Sequence, residues 1–240
     1  MTKILTQQSH PKFPDHHKKG IILDSFRDIV FGVEDGMVST FGVVTGIALA
    51  SHDHFTVLLS GVVVIAVESL SMGVGSYISN KAERDVSRRK LTEERIETEE
   101  FPEQEKQELT EFYIKDGWPK KFAQEMTSVA HQDKELFLKE MAYHELGIVV
   151  NKPVNPTKNG IFMFFAYILG GIIPVVPYFI WEIDQAVTIS VVLSLVSLFS
   201  LGTLIGRHTK RLWWKAGLEL LLLAGIAGLV GYIAGQVFNR

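Results

Sequence analysis

Five stretches of this chain are apolar almost without interruption, at about residues 29–50, 57–78, 160–181, 185–206 and 217–238. Each is close to the roughly 20 residues that carry an α-helix across the hydrocarbon core of a bilayer, so the pattern predicts five transmembrane helices. The third and fourth stretches hold no charged residue, the first two contain acids, and the last contains Glu219. Between the second and third lies a polar segment, residues 79–159, with 14 basic and 17 acidic residues. A segment of that length and charge reads as a small helical domain. The predicted fold class is an all-α integral membrane protein with a helical insert between helices two and three.

Loop charge gives the sidedness, because short translocated loops lack the Lys and Arg that cytoplasmic loops keep. The links at 51–56 and 182–184 contain neither, whereas Arg207, Lys210, Arg211 and Lys215 crowd the link before the last helix. The expectation is a cytoplasmic N-terminus. The chain then divides into a cytoplasmic tail (1–28), helices one and two (29–78), a cytoplasmic Glu-rich helical metal-binding domain (79–159) and helices three to five (160–238). Residues 1–28 are polar, with Lys3, Lys12, Lys18, Lys19 and Arg27, and show no secretory signal pattern.

Composition narrows the chemistry. The 240 residues are 47% apolar and 21% charged, segregated along the chain, which argues against an ordinary globular enzyme. A net charge of −3 gives no reason to expect nucleic acid. Cysteine is absent, which removes disulfides, thiolate-held metals and thiol catalysis. No Glu-x-x-His, His-Glu-x-x-His, Gly-x-Ser-x-Gly, phosphate loop or dinucleotide fingerprint occurs, so catalysis is not expected.

Small residues recur four apart in Gly32/Gly36, Gly42/Gly46 and Gly231/Gly235, the spacing that lets helices approach closely in lipid. Pro174 and Pro177 follow Gly170 and Gly171 in the third span, and a helix so interrupted is kept where it lines a cavity or packs against protein. Ionisable side chains inside a span cost about 2.5–3.5 kcal/mol on insertion scales, which makes Asp35 and Glu68 functional candidates. Asp35 and Met72 both lie about six residues inside the same end of oppositely directed helices, hence about 9 Å deep. Glu68 is one turn deeper than Met72 on the same face. A carboxylate and a thioether at one level suit Fe²⁺ or Mn²⁺ better than Mg²⁺ or Ca²⁺. Glu219 is expected to reach Lys215, one turn before it.

Residues 93–111 contain nine glutamates. Glu94 with Glu97, and Glu105 with Glu108, are i,i+3 pairs separated by three helical turns. Phe101-Pro102 stands between them, so the sequence predicts two helices folded back on each other with the two carboxylate pairs converging. A third helical segment, about 119–147, has apolar positions at Phe122, Met126, Val129, Leu136 and Met141. Its end places Met141 and Glu145 on one face. His144 is either a further ligand or, as we expect, an exposed polar residue.

The stretch from Arg27 to Gly42 (Arg-Asp-Ile-Val-Phe-Gly-Val-Glu-Asp-Gly-Met-Val-Ser-Thr-Phe-Gly) resembles the first-helix motif of the vacuolar iron transporter family. Ser71-Met72-Gly73-Val74-Gly75-Ser76-Tyr77 resembles its second-helix motif, and Gly170-Gly171-Ile172-Ile173-Pro174-Val175-Val176-Pro177 its third. The likeness covers nearly the whole chain. It implies a five-helix homodimer that moves Fe²⁺, often also Mn²⁺, out of the cytosol in exchange for protons, with its pathway at the dimer interface and no prosthetic group. Asp35 and Met72 match the family's intramembrane ligands. Glu94, Glu97, Glu105, Glu108, Met141 and Glu145 match those of the insert that collects ions. Two departures stand out: Ala142 replaces a second methionine, removing a soft ligand, and Val64 stands where an acid can occur, a place Glu68 is expected to fill. The alternative expectation is a membrane-anchored divalent-metal buffer or sensor. A vacuolar-type organelle membrane and a bacterial inner membrane would present the same sequence features.

Overall fold

The computed structural model describes residues 25–148 and 155–238; most of the expected N-terminal tail and the segment 149–154 lie outside the described residues. The described residues form eight helices and no strand: α1 Phe26–Ser51, α2 His54–Glu100, α3 Pro102–Lys115, α4 Lys120–Ala130, α5 Lys134–His144, α6 Pro156–Ile180, α7 Ile183–His208 and α8 Trp213–Phe238. Five of them (α1, α2, α6, α7 and α8) are long and apolar enough to cross a membrane. The chain is therefore a multi-pass, all-α membrane protein. It divides into two compact units, one of residues up to Ser69 together with Phe162 onward, the other Leu70–Ile161.

In the first unit, close backbone approach decides which helices touch. A Cβ on Gly231 would collide with the carbonyl of Gly42, and one on Gly46 would stand 2.7 Å from the Gly231 carbonyl, so α1 and α8 meet through glycine on both sides. Gly36 and Gly170 do the same between α1 and α6, each lying against a backbone carbonyl of the other helix, Tyr167 and Val33 respectively. Around these contacts Val44, Ala48, Val57, Ile65, Val175 and Tyr178 form one apolar core, and Met37, Leu198, Leu220 and Ala224 another. Pro174 and Pro177 sit inside α6 without ending it. Their surroundings are protein, since Ser190 Oγ on α7 donates to the Pro174 carbonyl at 2.6 Å and Val175 lies in the core.

The α1–α2 connection is only His52-Asp53. His52 takes a left-handed φ of 48° and its N–H reaches the Ala48 carbonyl, closing α1. Asp53 then caps α2 by accepting from Thr56 N at 2.8 Å and Thr56 Oγ1 at 2.5 Å, which holds its carboxyl below the usual range. Glu219 pairs with Arg211 at 3.0 Å, so the expected partner Lys215 is replaced by a longer guanidinium from the preceding loop.

The second unit corrects two expectations. The second helix does not stop near residue 78; α2 continues unbroken to Glu100, 47 residues in all, or about 70 Å of helix. The third polar segment is two helices, because Asp133 accepts from the N–H groups of Glu135 and Leu136 and starts α5 anew. Here Leu109, Tyr113, Ala123, Ala130, Phe137 and Met141 make a small apolar core. Phe122 and Val129, expected on the inner face, are exposed, and Ala123, Thr127 and Ala130 face inward instead. Thr127 also accepts a hydrogen bond from Thr110 on α3 at 3.0 Å, a contact that only small side chains allow.

Candidate functional site

The chain reverses at Phe101-Pro102. Pro102 occupies the first turn of α3, where its missing N–H costs nothing, and the Phe101 carbonyl accepts from Gln104 and Glu105. This reversal brings the end of α2 against the start of α3. Glu94 on α2, Glu105 on α3 and Glu145 at the end of α5 place one carboxylate oxygen each within 4.8 Å of one another. Glu94 is only 1% exposed and Glu105 8% exposed. Glu94 Oε1 and Glu105 Oε2 are buried with no hydrogen-bond partner.

Such an arrangement is electrostatically costly without a counter-charge. Burial, then the neighbouring Glu145, push Glu94 up from 4.5 to about 8. Burial, then Glu108, push Glu105 up to about 7, and burial followed by the Glu145 charge raises Glu108 as well. Glu97 contributes to the field at all three. The structure thus gathers Glu94, Glu105 and Glu145 at contact range, with Glu97 and Glu108 around them. Met141 is fully buried and packs in the apolar core with Leu109, Tyr113 and Phe137; its carbonyl accepts the N–H of Glu145 at 2.8 Å. A cluster of oxygen donors with two unsatisfied buried atoms is suited to a divalent cation, which would replace protons and relieve the mutual repulsion.

His144 is not an exposed polar residue. Its side chain is mostly buried against Tyr113, with Nδ1 at 3.1 Å from Asp116 and Nε2 at 3.7 Å from Glu140, while Tyr113 donates to Glu140 at 3.1 Å. This network ties the C-terminal end of α3 to the turn of α5 that precedes Glu145. Sequence reading missed it because Asp116 lies 28 positions away.

In the first unit, a groove of about 740 Å³ runs between α1 and α8. Among the described residues that line it, Asp35 and Ser39 are the polar ones; the rest is glycine, alanine, valine and isoleucine, including Gly42, Gly46 and Gly231. The glycines that bring α1 and α8 together also keep the groove open, because they put no side chain into it. Asp35 is half-buried and lies within electrostatic reach of Glu68 on α2. Glu68 is exposed on the isolated chain. Met72, one turn further along α2, belongs to the second unit and is half-buried. Two residues here were not singled out from sequence. Tyr167 of α6 is fully buried, and its hydroxyl stands 2.5 Å from Ser39 Oγ. Ser39 sits one turn after Asp35, a spacing that was legible, but its partner 128 positions away was not.

A family model described as the VIT family matches residues 26–236. A vacuolar iron transporter of Toxoplasma gondii is 32% identical over 227 residues, covering 90% of this chain and 75% of that protein. Vacuolar iron transporter 1 of Eucalyptus grandis is 29% identical, covering 91% of this chain and 89% of the relative, and that of Arabidopsis thaliana is 28% identical, covering 100% and 97%. With the family model matched from the first described helix almost to the end of the last, the chain belongs to the VIT family.

Proposed function

We propose that this protein carries Fe²⁺, and Mn²⁺ with it, across a vacuolar-type organelle membrane and out of the cytosol in exchange for protons. The observation that carries the reading is Asp35, an ionisable side chain within a membrane span that lines a groove apolar but for Ser39, beside a second carboxylate, Glu68. An acid in a span is retained against an insertion cost of about 2.5–3.5 kcal/mol, which favours a role in ion passage. The names of the relatives support iron as the cargo.

In this reading the basic residues before α8 mark the cytoplasmic side, and the glutamate insert faces the cytosol. Glu94, Glu97, Glu105, Glu108 and Glu145 collect the ion there, with Met141 close by in sequence as the soft donor. Asp35, Glu68 and Met72 form the pathway. Protonation of the same carboxylates on the opposite side releases the metal, which couples ion to proton. Glu68, exposed on one protomer, is covered in a homodimer.

The test is Fe²⁺ and Mn²⁺ flux into proteoliposomes with and without an imposed pH gradient. Uptake accelerated by an acidic interior supports exchange. A second reading, a membrane-anchored buffer, draws on the buried carboxylate cluster alone and predicts tight binding without flux under either condition.

A further inference from the structure

The Ser39 hydroxyl lies between two oxygen partners. It is placed to donate to the Asp35 carbonyl at 2.7 Å, one turn back along α1. It also stands 2.5 Å from Tyr167 Oη, a contact in which either hydroxyl can donate. A serine oxygen has two lone pairs, and whichever hydroxyl donates, Tyr167 engages at most one of them. Ser39 also lines the α1–α8 groove, where Asp35 is the other polar side chain among the described residues.

A residue buried as completely as Tyr167 fixes its hydroxyl by packing, and a hydroxyl held by two hydrogen bonds cannot rotate freely. Ser39 therefore presents a fixed acceptor oxygen on the face of α1 that carries Asp35. Residues four apart on a helix have Cβ atoms about 5–6 Å apart, a separation that two oxygen donors can bridge onto one cation.

We propose that Ser39 is a second oxygen ligand, beside Asp35, for the divalent cation in the groove, and that Tyr167 is the positioning residue that orients it. The proposal rests on the transport reading above and adds a ligand to the same site. A neutral oxygen next to a carboxylate lets a dehydrating Fe²⁺ or Mn²⁺ exchange a water without adding charge, so the ion binds and still leaves. Tyr167 touches no cargo; it acts through Ser39.

The experiment is initial-rate uptake of Fe²⁺, Mn²⁺ and Cd²⁺ into proteoliposomes by wild type, Ser39→Ala, Ser39→Thr, Ser39→Cys, Tyr167→Phe and Asp35→Ala, each first checked for monodisperse elution. Loss of one hydrogen-bond-grade contact to a charged partner predicts a KM for Mn²⁺ about tenfold higher in Ser39→Ala. Ser39→Thr keeps the oxygen, so its KM lies between those of Ser39→Ala and wild type. Tyr167→Phe raises KM by a smaller factor. Ser39→Cys replaces a hard oxygen with a soft sulfur and shifts the Cd²⁺ to Mn²⁺ preference upward, which a purely structural role would not do. Wild-type KM in Ser39→Ala with Asp35→Ala inactive overturns the ligand assignment alone. Wild-type uptake in Asp35→Ala overturns the pathway on which it stands. If Ser39→Ala elutes as aggregate, an unchanged metal preference in Ser39→Cys overturns the proposal in its place.

Discussion

Glu94 and Glu105 face a conflict that only protons or a cation can resolve: both are buried, both lack partners for an oxygen, and both lie in the field of further carboxylates. Glu94 rises from 4.5 to about 8 and Glu105 to about 7, so the metal-free fold holds protons that the unfolded chain has released. The stability they confer is complete below about pH 4.5 and is lost as pH rises towards 8. The thermal midpoint of the metal-free protein in detergent should therefore fall across that window. Metal must displace the same protons, so its affinity should strengthen between pH 6 and 8, and calorimetry in buffers of different ionisation enthalpy should register proton release. Glu94→Gln separates the two effects. At pH 8 it should raise the metal-free midpoint, because a buried charge is gone. It should also abolish the stabilisation by Mn²⁺, which for wild type is about 2.7 kcal/mol when free metal exceeds Kd a hundredfold. A wild-type response to Mn²⁺ in this variant would remove Glu94 from the site.

At the scale of elements, glycine position decides tolerance. A Cβ on Gly36 would overlap the Tyr167 carbonyl, whereas one on Gly225 meets nothing within 4 Å. Gly36→Ala should cost about 1–3 kcal/mol through overpacking, and Gly225→Ala should be neutral or slightly stabilising. Thermal melts of the two variants check this, and equal midpoints would contradict it. The spans themselves were legible because an uninterrupted apolar run has one structural meaning at this length. The end of α2 was not, because hydropathy stops near Ile78 while helix-forming Lys81, Ala82, Glu83 and Arg84 carry the backbone on until Pro102. The inner face of α4 was misread for a related reason. Phe122 and Val129 look like core by size, but close approach to α3 selects Ala123, Thr127 and Ala130. The break before α5 was written in Asp133-Lys134-Glu135, a capping signal short enough to be overrun by the apolar period. The paired glutamates could be read from spacing alone; the burial that makes Glu94 and Glu105 unlike their neighbours could not, since it depends on which faces of α2, α3 and α5 meet.

At the scale of the molecule, two compact units share one continuous helix, α2. Its membrane-spanning part leaves Val62, Val63, Val67 and Leu70 exposed alongside Glu68. A carboxylate on a surface facing lipid is costly, and a second copy of the chain covering this face would remove the cost. The chain has no cysteine, so Val67→Cys provides a clean probe. Oxidation should give a disulfide-linked dimer in membranes, and a persistent monomer would argue against α2 as the shared face. In the proposed function the insert gathers ions and the groove passes them, so Glu105→Ala combined with Glu108→Ala should slow uptake at low metal concentration and leave the maximal rate nearly intact. The central claim is that ions cross at Asp35. The most direct measurement is Fe²⁺ uptake into proteoliposomes driven by a pH gradient, comparing wild type with Asp35→Ala at equal protein density. The account predicts gradient-driven uptake in the wild type and its loss in the variant, with metal binding to the insert unchanged. Equal uptake by both would place the pathway elsewhere and contradict it.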